Sequence, residues 1–310
     1  MSLKLPAALG NPQVQIHFCV ALWGFTAILG RLISLPALPL VFWRSLIVAL
    51  TLLAWRPVWR QLVTIPRRQW AHCVLAGVLV TAHWLCFYGS IKLANASVAA
   101  TSIAIAPVFL SIVEPLLSRQ RFVAREFLVA VISIPGVALV VGGIPSEMLG
   151  GFALGTLSAA LVAVFSILNK HLAMRVPALA LTAIEMASGA LLLGLLIPLW
   201  PALGASFDWP GQADLLWLLV LSLVCTLFPF TLVIMALRQL SAFSVQLAVN
   251  LEPVYAILLA AALLGEGEQL RWSFYAGVAV ILGAVLLHLR LHSGRPGVEQ
   301  RLFERDEAVQ

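Results

Sequence analysis

Charge is scarce in this chain: Asp, Glu, Lys and Arg make up 10% of its 310 residues, while 62% are hydrophobic. Soluble domains carry roughly 45–50% apolar residues, so an ordinary water-soluble globule is excluded. Cysteine is nearly absent. Cys19, Cys73, Cys86 and Cys225 lie inside apolar runs with no CxxC pair, which signals neither a disulfide framework nor a zinc site. Clustered His/Asp/Glu ligands, a nucleophile beside a base and a Walker A loop are also missing. His288 and His292 have i, i+4 spacing but no HExxH glutamate between them. No catalytic residue, cofactor or metal is therefore expected, and ATP does not drive the chain directly. The net charge of +6 would suggest nucleic acid in a soluble chain. Here the basic residues fall in short stretches between apolar runs, where they set membrane orientation.

What the chain does have is apolar runs of bilayer length. A hydrocarbon core about 30 Å thick needs about 20 helical residues, and ten such runs can be placed, at 14–33, 37–55, 70–91, 96–117, 126–143, 151–170, 178–200, 214–237, 242–265 and 272–291. An all-α polytopic membrane protein with ten transmembrane helices is expected. The first run has no convincing cleavage site after it and is read as a retained helix. With the N-terminus cytoplasmic, Arg31, Lys92 and Arg271 fall on the outer side and Arg44 inside a helix, and the other basic residues fall on the inner side. That asymmetry orients the chain with both termini cytoplasmic in a cell inner (plasma) membrane. The crossings divide into 1–148 and 149–291, with a polar cytoplasmic tail at 292–310. Five is odd, so the second set begins on the opposite face and any likeness between halves is an inverted repeat. Pro107 aligned with Pro253 sets APVF over EPVY.

The ninth run carries Gln246, Asn250 and Glu252-Pro253 where the hydrocarbon should be driest. Such groups must face other helices or a water-filled cavity. Gln246, Asn250 and Pro253 share one helical face, the leading choice for substrate contact. Arg44 either pairs with Glu114, Glu252 or carbonyls near Pro107 and Pro253, or receives a substrate carboxylate in a bidentate fork. The embedded carboxyls Glu114, Glu185 and Glu252 outnumber it, so at least one is expected to hold a proton. Glu252, nearest the midplane, is the candidate for proton coupling. Pro107 and Pro253 each remove a backbone hydrogen bond and are the candidate hinges. Trp23, Trp43 and Trp84 lie deep; with His83, Phe87 and Tyr88 they form either an aromatic substrate cavity or helix packing. The other tryptophans, Trp55, Trp59, Trp70, Trp200, Trp209, Trp217 and Trp272, fall near run ends as an interfacial belt. Gly136, Gly142, Gly143, Gly277 and Gly283 permit close helix approach, in the scaffold or in a homodimer.

The segments LEPVYAILLAAALLGE and YAGVAVILGAVLL, with ALWGFTAILGR, FWRSLIVAL and the APVF/EPVY pair, resemble EamA-type members of the drug/metabolite transporter superfamily. The resemblance covers both halves. It implies a ten-helix inverted-repeat carrier with a central cavity, usually exporting amino acids or other small metabolites. Where the family often carries a glutamate after the fourth helix, as Glu266 follows the ninth, this chain has Gln120-Arg121; that departs from any mechanism built on symmetric end-of-helix carboxylates. The expected function is a secondary carrier for a small amphipathic metabolite, working by alternating access in the lipid bilayer with protons as the coupling ion. A lipid or lipid-linked-sugar flippase and a metabolite importer are the alternatives.

Overall fold

The computed structural model describes residues 11–117, 124–249, 251–265 and 270–292. All regular structure among them is helical. Asn11 starts α1 (Pro12–Leu32) by accepting a hydrogen bond from the Gln13 amide, and Pro12 fills the first turn, where a missing N–H costs nothing. Pro36, Pro66 and Pro177 stand immediately before α2 (Ala37–Leu53), α4 (Arg67–Leu93) and α9 (Ala178–Leu195). Between α2 and α4 the short α3 (Arg56–Leu62) turns 91° from α2. Its Trp59 indole donates to the Leu53 carbonyl, satisfying one of the groups left open where α2 stops.

In the fourth and ninth runs the matched prolines each stand in the first turn of a separate helix. Asn95 caps α5 (Ala96–Ile103) through the Val98 amide, and α6 (Ala106–Leu117) resumes after a two-residue interruption, with Pro107 in its first turn. Likewise α12 (Ala242–Val249) gives way to α13 (Glu252–Leu264), with Pro253 in the first turn. Proline at the second position of a helix needs no donor, so each proline begins a new helix better than it continues the old one. The remaining elements are α7 (Ala124–Gly143), α8 (Leu149–Ala173), α10 (Gln212–Leu219), a π-helical segment Val220–Leu227, α11 (Phe228–Leu237) and α14 (Trp272–His292).

Six helical stretches among the described residues are long and apolar enough to cross a membrane, or seven if α2 and α3 count as one bent span. The ten crossings read from the sequence are thus met only in part. In the ninth run the described helices α12 and α13, of 8 and 13 residues, are each shorter than a span. Large apolar side chains such as Leu116, Leu191, Leu195 and Leu258 face outward, as lipid-facing positions do.

Helices of the two halves pack on each other in matched pairs: α4 lies along α8 as α1 lies along α11, while α2 meets α9, α5 meets α13 and α7 meets α14. Gly143 faces Phe274, and Gly277 faces Gly136 and Val140, so α7 and α14 run antiparallel. Ser45 at Gly189 and Phe42 at Gly194 give the same sense for α2 and α9. A side chain at Gly143 or Gly277 would collide with the opposite backbone; Gly142 and Gly283 face nothing and take no part in this contact. Trp200 also departs from the expected belt: it is fully buried and packs edge-on against Phe42.

Candidate functional site

A cavity, partly open to the outside, lies between the halves. The first half contributes Trp23, Arg44, His83, Trp84, Phe87 and Ile103; the second contributes Phe165, Asn169, Phe230, Val249 and Glu252, among others. Among the described residues the lining is therefore largely aromatic and aliphatic, with one arginine and one carboxyl. Trp23, Trp84 and Phe165 all pack their rings against Phe230, which ties the two halves together at the cavity wall.

Arg44 is 2% exposed, and its guanidinium is held on three sides. Nε donates to the Thr226 hydroxyl at 2.7 Å, and Nη1 donates to the Tyr88 hydroxyl at 2.7 Å. The Trp84 ring lies 3.7 Å beneath Cζ, a cation–π distance. Neither carboxyl suggested by the sequence is a hydrogen-bond partner. Thr226 owes its position to the π-helical segment, where its hydroxyl donates to the Leu221 carbonyl five residues earlier at 2.6 Å and so leaves a lone pair for the arginine. Single π turns often mark functional positions. Tyr88 is fully buried with its ring against Gly30, where a β-carbon would collide with it. It positions the guanidinium and does not line the cavity.

Glu252 opens α13, is 6% exposed, and turns toward the cavity. Beside it the broken helices present backbone. Pro107 and Pro253 lack an N–H, so neither can donate to the carbonyl four residues earlier. Those carbonyls belong to Ile103 and Val249, and both residues line the cavity. The site therefore offers an arginine whose remaining donors can meet an anion and a carboxyl suited to a cation, with two lining residues, Ile103 and Val249, whose carbonyls lose a helical donor to proline.

His83 lines the cavity and is bound to α8 through Ser158, with Nδ1 at 2.8 Å from the hydroxyl and 3.0 Å from the carbonyl. Trp43 does not belong to the cavity. Its indole donates to the Asp208 carbonyl at 3.0 Å, and its ring packs with Phe42, Phe207 and Trp209 in a separate aromatic cluster. Successive helix residues Trp43 and Arg44 point about 100° apart, which separates the two. Asn250 lies outside the described residues, and so does the Gln246 side chain; the α12 backbone brings Val245 and Val249 to the cavity. Sequence reasoning passed over Thr226, Phe165, Phe230 and Asn169. Asn169 was findable, as an amide inside an apolar run; it is buried, and its side-chain oxygen has no hydrogen-bond partner among the described residues. Thr226 carried no such signal, because threonine is ordinary in membrane helices.

The family model described as "EamA-like transporter family" matches residues 14–142 and 149–290. A solved structure described only as "Crystal structure of protein" is similar with a TM-score of 0.66 at 18% identity, covering 91% of this chain and 98% of that one. At that identity the likeness speaks for the fold alone. No curated protein matches.

Proposed function

Because the chain belongs to the EamA-like transporter family, with both halves matched, we propose that it is a secondary carrier of amino acids or similar small amphipathic metabolites. It crosses the plasma membrane ten times as two inverted five-helix repeats, with both termini cytoplasmic, and exports its substrate by alternating access coupled to protons. The inverted arrangement is supported by the antiparallel contacts of α2 with α9 and of α7 with α14, since matched helices of a parallel repeat would run the same way.

The observation that carries the substrate class is the pairing of Arg44 and Glu252 on one aromatic-walled cavity. A zwitterion places its carboxylate on the guanidinium and its ammonium against Glu252 and the freed carbonyls of Ile103 and Val249, with its side chain among Trp23, Trp84 and Phe230. Gln246 and Asn250, on the segment just before Glu252, are assigned to the same substrate, and Pro107 and Pro253 to the hinges.

Purified protein screened for thermal stabilisation by amino acids, organic cations, nucleosides, sugars and lipid headgroups tests this. A ligand at 100 times its Kd adds about 2.7 kcal/mol of apparent stability. The expected result is a shift from zwitterionic amphipaths, absent in Arg44→Ala, with saturable counterflow of the same compound in proteoliposomes. Stabilisation by lipid headgroups alone would replace the metabolite carrier with a flippase.

A further inference from the structure

We propose that Glu185 is a proton-binding site separate from the substrate cavity, which carries its proton while α9 lies against α4 and releases it to water when the two helices part. Glu185 is the eighth residue of α9, fully buried, and absent from the cavity lining. Both of its carboxyl oxygens are shut off from solvent, with no hydrogen-bond partner among the described residues. An apolar interior accepts a neutral acid in that setting far more readily than an ionised one.

The seam around it is built for close approach. Gly77 of α4 faces the Glu185 backbone, and a β-carbon there would lie 2.8 Å from the Glu185 Cα and 2.9 Å from the Ser188 Cβ. One turn along α9, Gly189 meets Thr81 and Ser45. The hydroxyls of Ser45 and Thr182 are buried and also lack partners among the described residues. Glu185 and Ser45 are thus uncommitted polar side chains along the α2–α4–α9 contact, with the uncommitted Thr182 three residues before Glu185 on α9, able to hold water once it opens.

Among the described residues, no cation in the packed elements is placed to neutralise the carboxylate, and Lys170 of α8 is bonded to the Leu237 and Leu240 carbonyls. Arg44 of α2 is engaged by Thr226, Tyr88 and Trp84. Arg56 and Arg60 of α3, Arg67, Arg68 and His72 of α4 and His171 of α8 are exposed. His83 and Lys92 of α4 are bonded to Ser158 and the Ile33 carbonyl, and Arg238 after α11 is bonded to the Ala173 carbonyl. From α4 the titratable group in reach is the Cys73 thiol. Glu185 therefore keeps its charge only as a hydrated carboxylate, which requires the helices to separate.

Infrared difference spectra of the purified carrier at neutral pH, wild type minus Glu185→Gln, test the site without any transport assay. A protonated-acid C=O band lost in the variant is the expected result, with thermal stability preserved because the amide is isosteric with the neutral acid. Gly77→Leu, which wedges α4 from α9, is expected to convert that band to carboxylate; Ser188→Leu wedges the same contact if the first variant misfolds. Absence of an acid band belonging to Glu185, or its persistence in both wedged variants, would overturn the proposal. Failure of the flux experiments alone would leave this proton site standing.

Discussion

At the scale of single residues, the cavity depends on how its arginine is held. A lone arginine in the membrane interior costs roughly 2.5–3.5 kcal/mol by insertion scales, and Arg44 offsets this with two neutral hydroxyls and an indole face instead of a carboxylate. That leaves its charge uncancelled for a ligand. Thr226→Val removes the acceptor of Nε while keeping the side chain's shape. An unmet buried donor costs about 1–3 kcal/mol, and more when it is charged, so a loss of stability of at least that order is expected in thermal melts, with weaker binding of carboxylate-bearing ligands. Arg44→Lys is expected to behave alike, because an ammonium cannot reach both hydroxyls and lie flat on Trp84. Glu252 is judged by another readout: Glu252→Gln should abolish pH-driven accumulation in proteoliposomes, while counterflow is weakened but persists because Arg44 still holds the substrate carboxylate. Unchanged pH dependence would remove Glu252 from coupling.

At the scale of elements, the two broken helices decide where backbone faces the cavity. The sequence marks Pro107 and Pro253 as hinges; the structure sets each in the first turn of a helix, α6 and α13, where a proline avoids the clash it causes inside one. Pro253→Ala restores a donor for the Val249 carbonyl and lets α12 run into α13. A continuous helix then competes with the separate α12 and α13, so a turnover reduced roughly tenfold with stability kept or raised is expected, a trade of mobility for order. Equal turnover would show that the break is not a hinge. The α7–α14 contact is different in kind. Gly277→Val drives a side chain into Gly136 and Val140, and overpacking of this sort costs about 1–3 kcal/mol. Unfolding temperature should fall while the affinity of the remote cavity stays unchanged.

At the scale of the whole molecule, basic side chains fasten matched helix ends. Lys92 at the end of α4 donates to the Ile33 carbonyl after α1. Arg238 after α11 donates to the carbonyls of Ala173 and Val176 at the end of α8, and Lys170 of α8 returns the contact to Leu237 and Leu240. Cations at helix C-termini satisfy open carbonyls and the dipole together. The Ser34 amide and hydroxyl, bonded to Asp214, add a second tie near Lys92. Under the alternating access proposed above, ties at opposite helix ends would gate opposite mouths of the cavity. Lys92→Met and Arg238→Met should therefore raise maleimide labelling of a single cysteine at Ser166 from opposite membrane sides, as measured in right-side-out and inside-out vesicles. Labelling that rises from the same side in both variants would refute the gate assignment.

The sequence by itself determined the class of molecule and much of its plan. Apolar runs of bilayer length, sparse charge and the repeated proline motif follow from the cost of putting polar groups in hydrocarbon, a constraint each segment feels alone. It also marked Arg44, Glu252, His83, Trp23 and Trp84, because polar or aromatic residues stand out in an apolar run, and all five line one cavity. Only the tertiary structure decided what they meet. That Trp43 leaves the cavity, that Arg44 rests on Thr226 and Tyr88, and that Glu185 is enclosed while Glu252 faces open space depend on the rotation of each helix against its neighbours. That rotation is fixed by packing between residues some 40 to 200 positions apart, such as Gly77 against Glu185 and Gly30 against Tyr88. No window of local sequence contains such a contact.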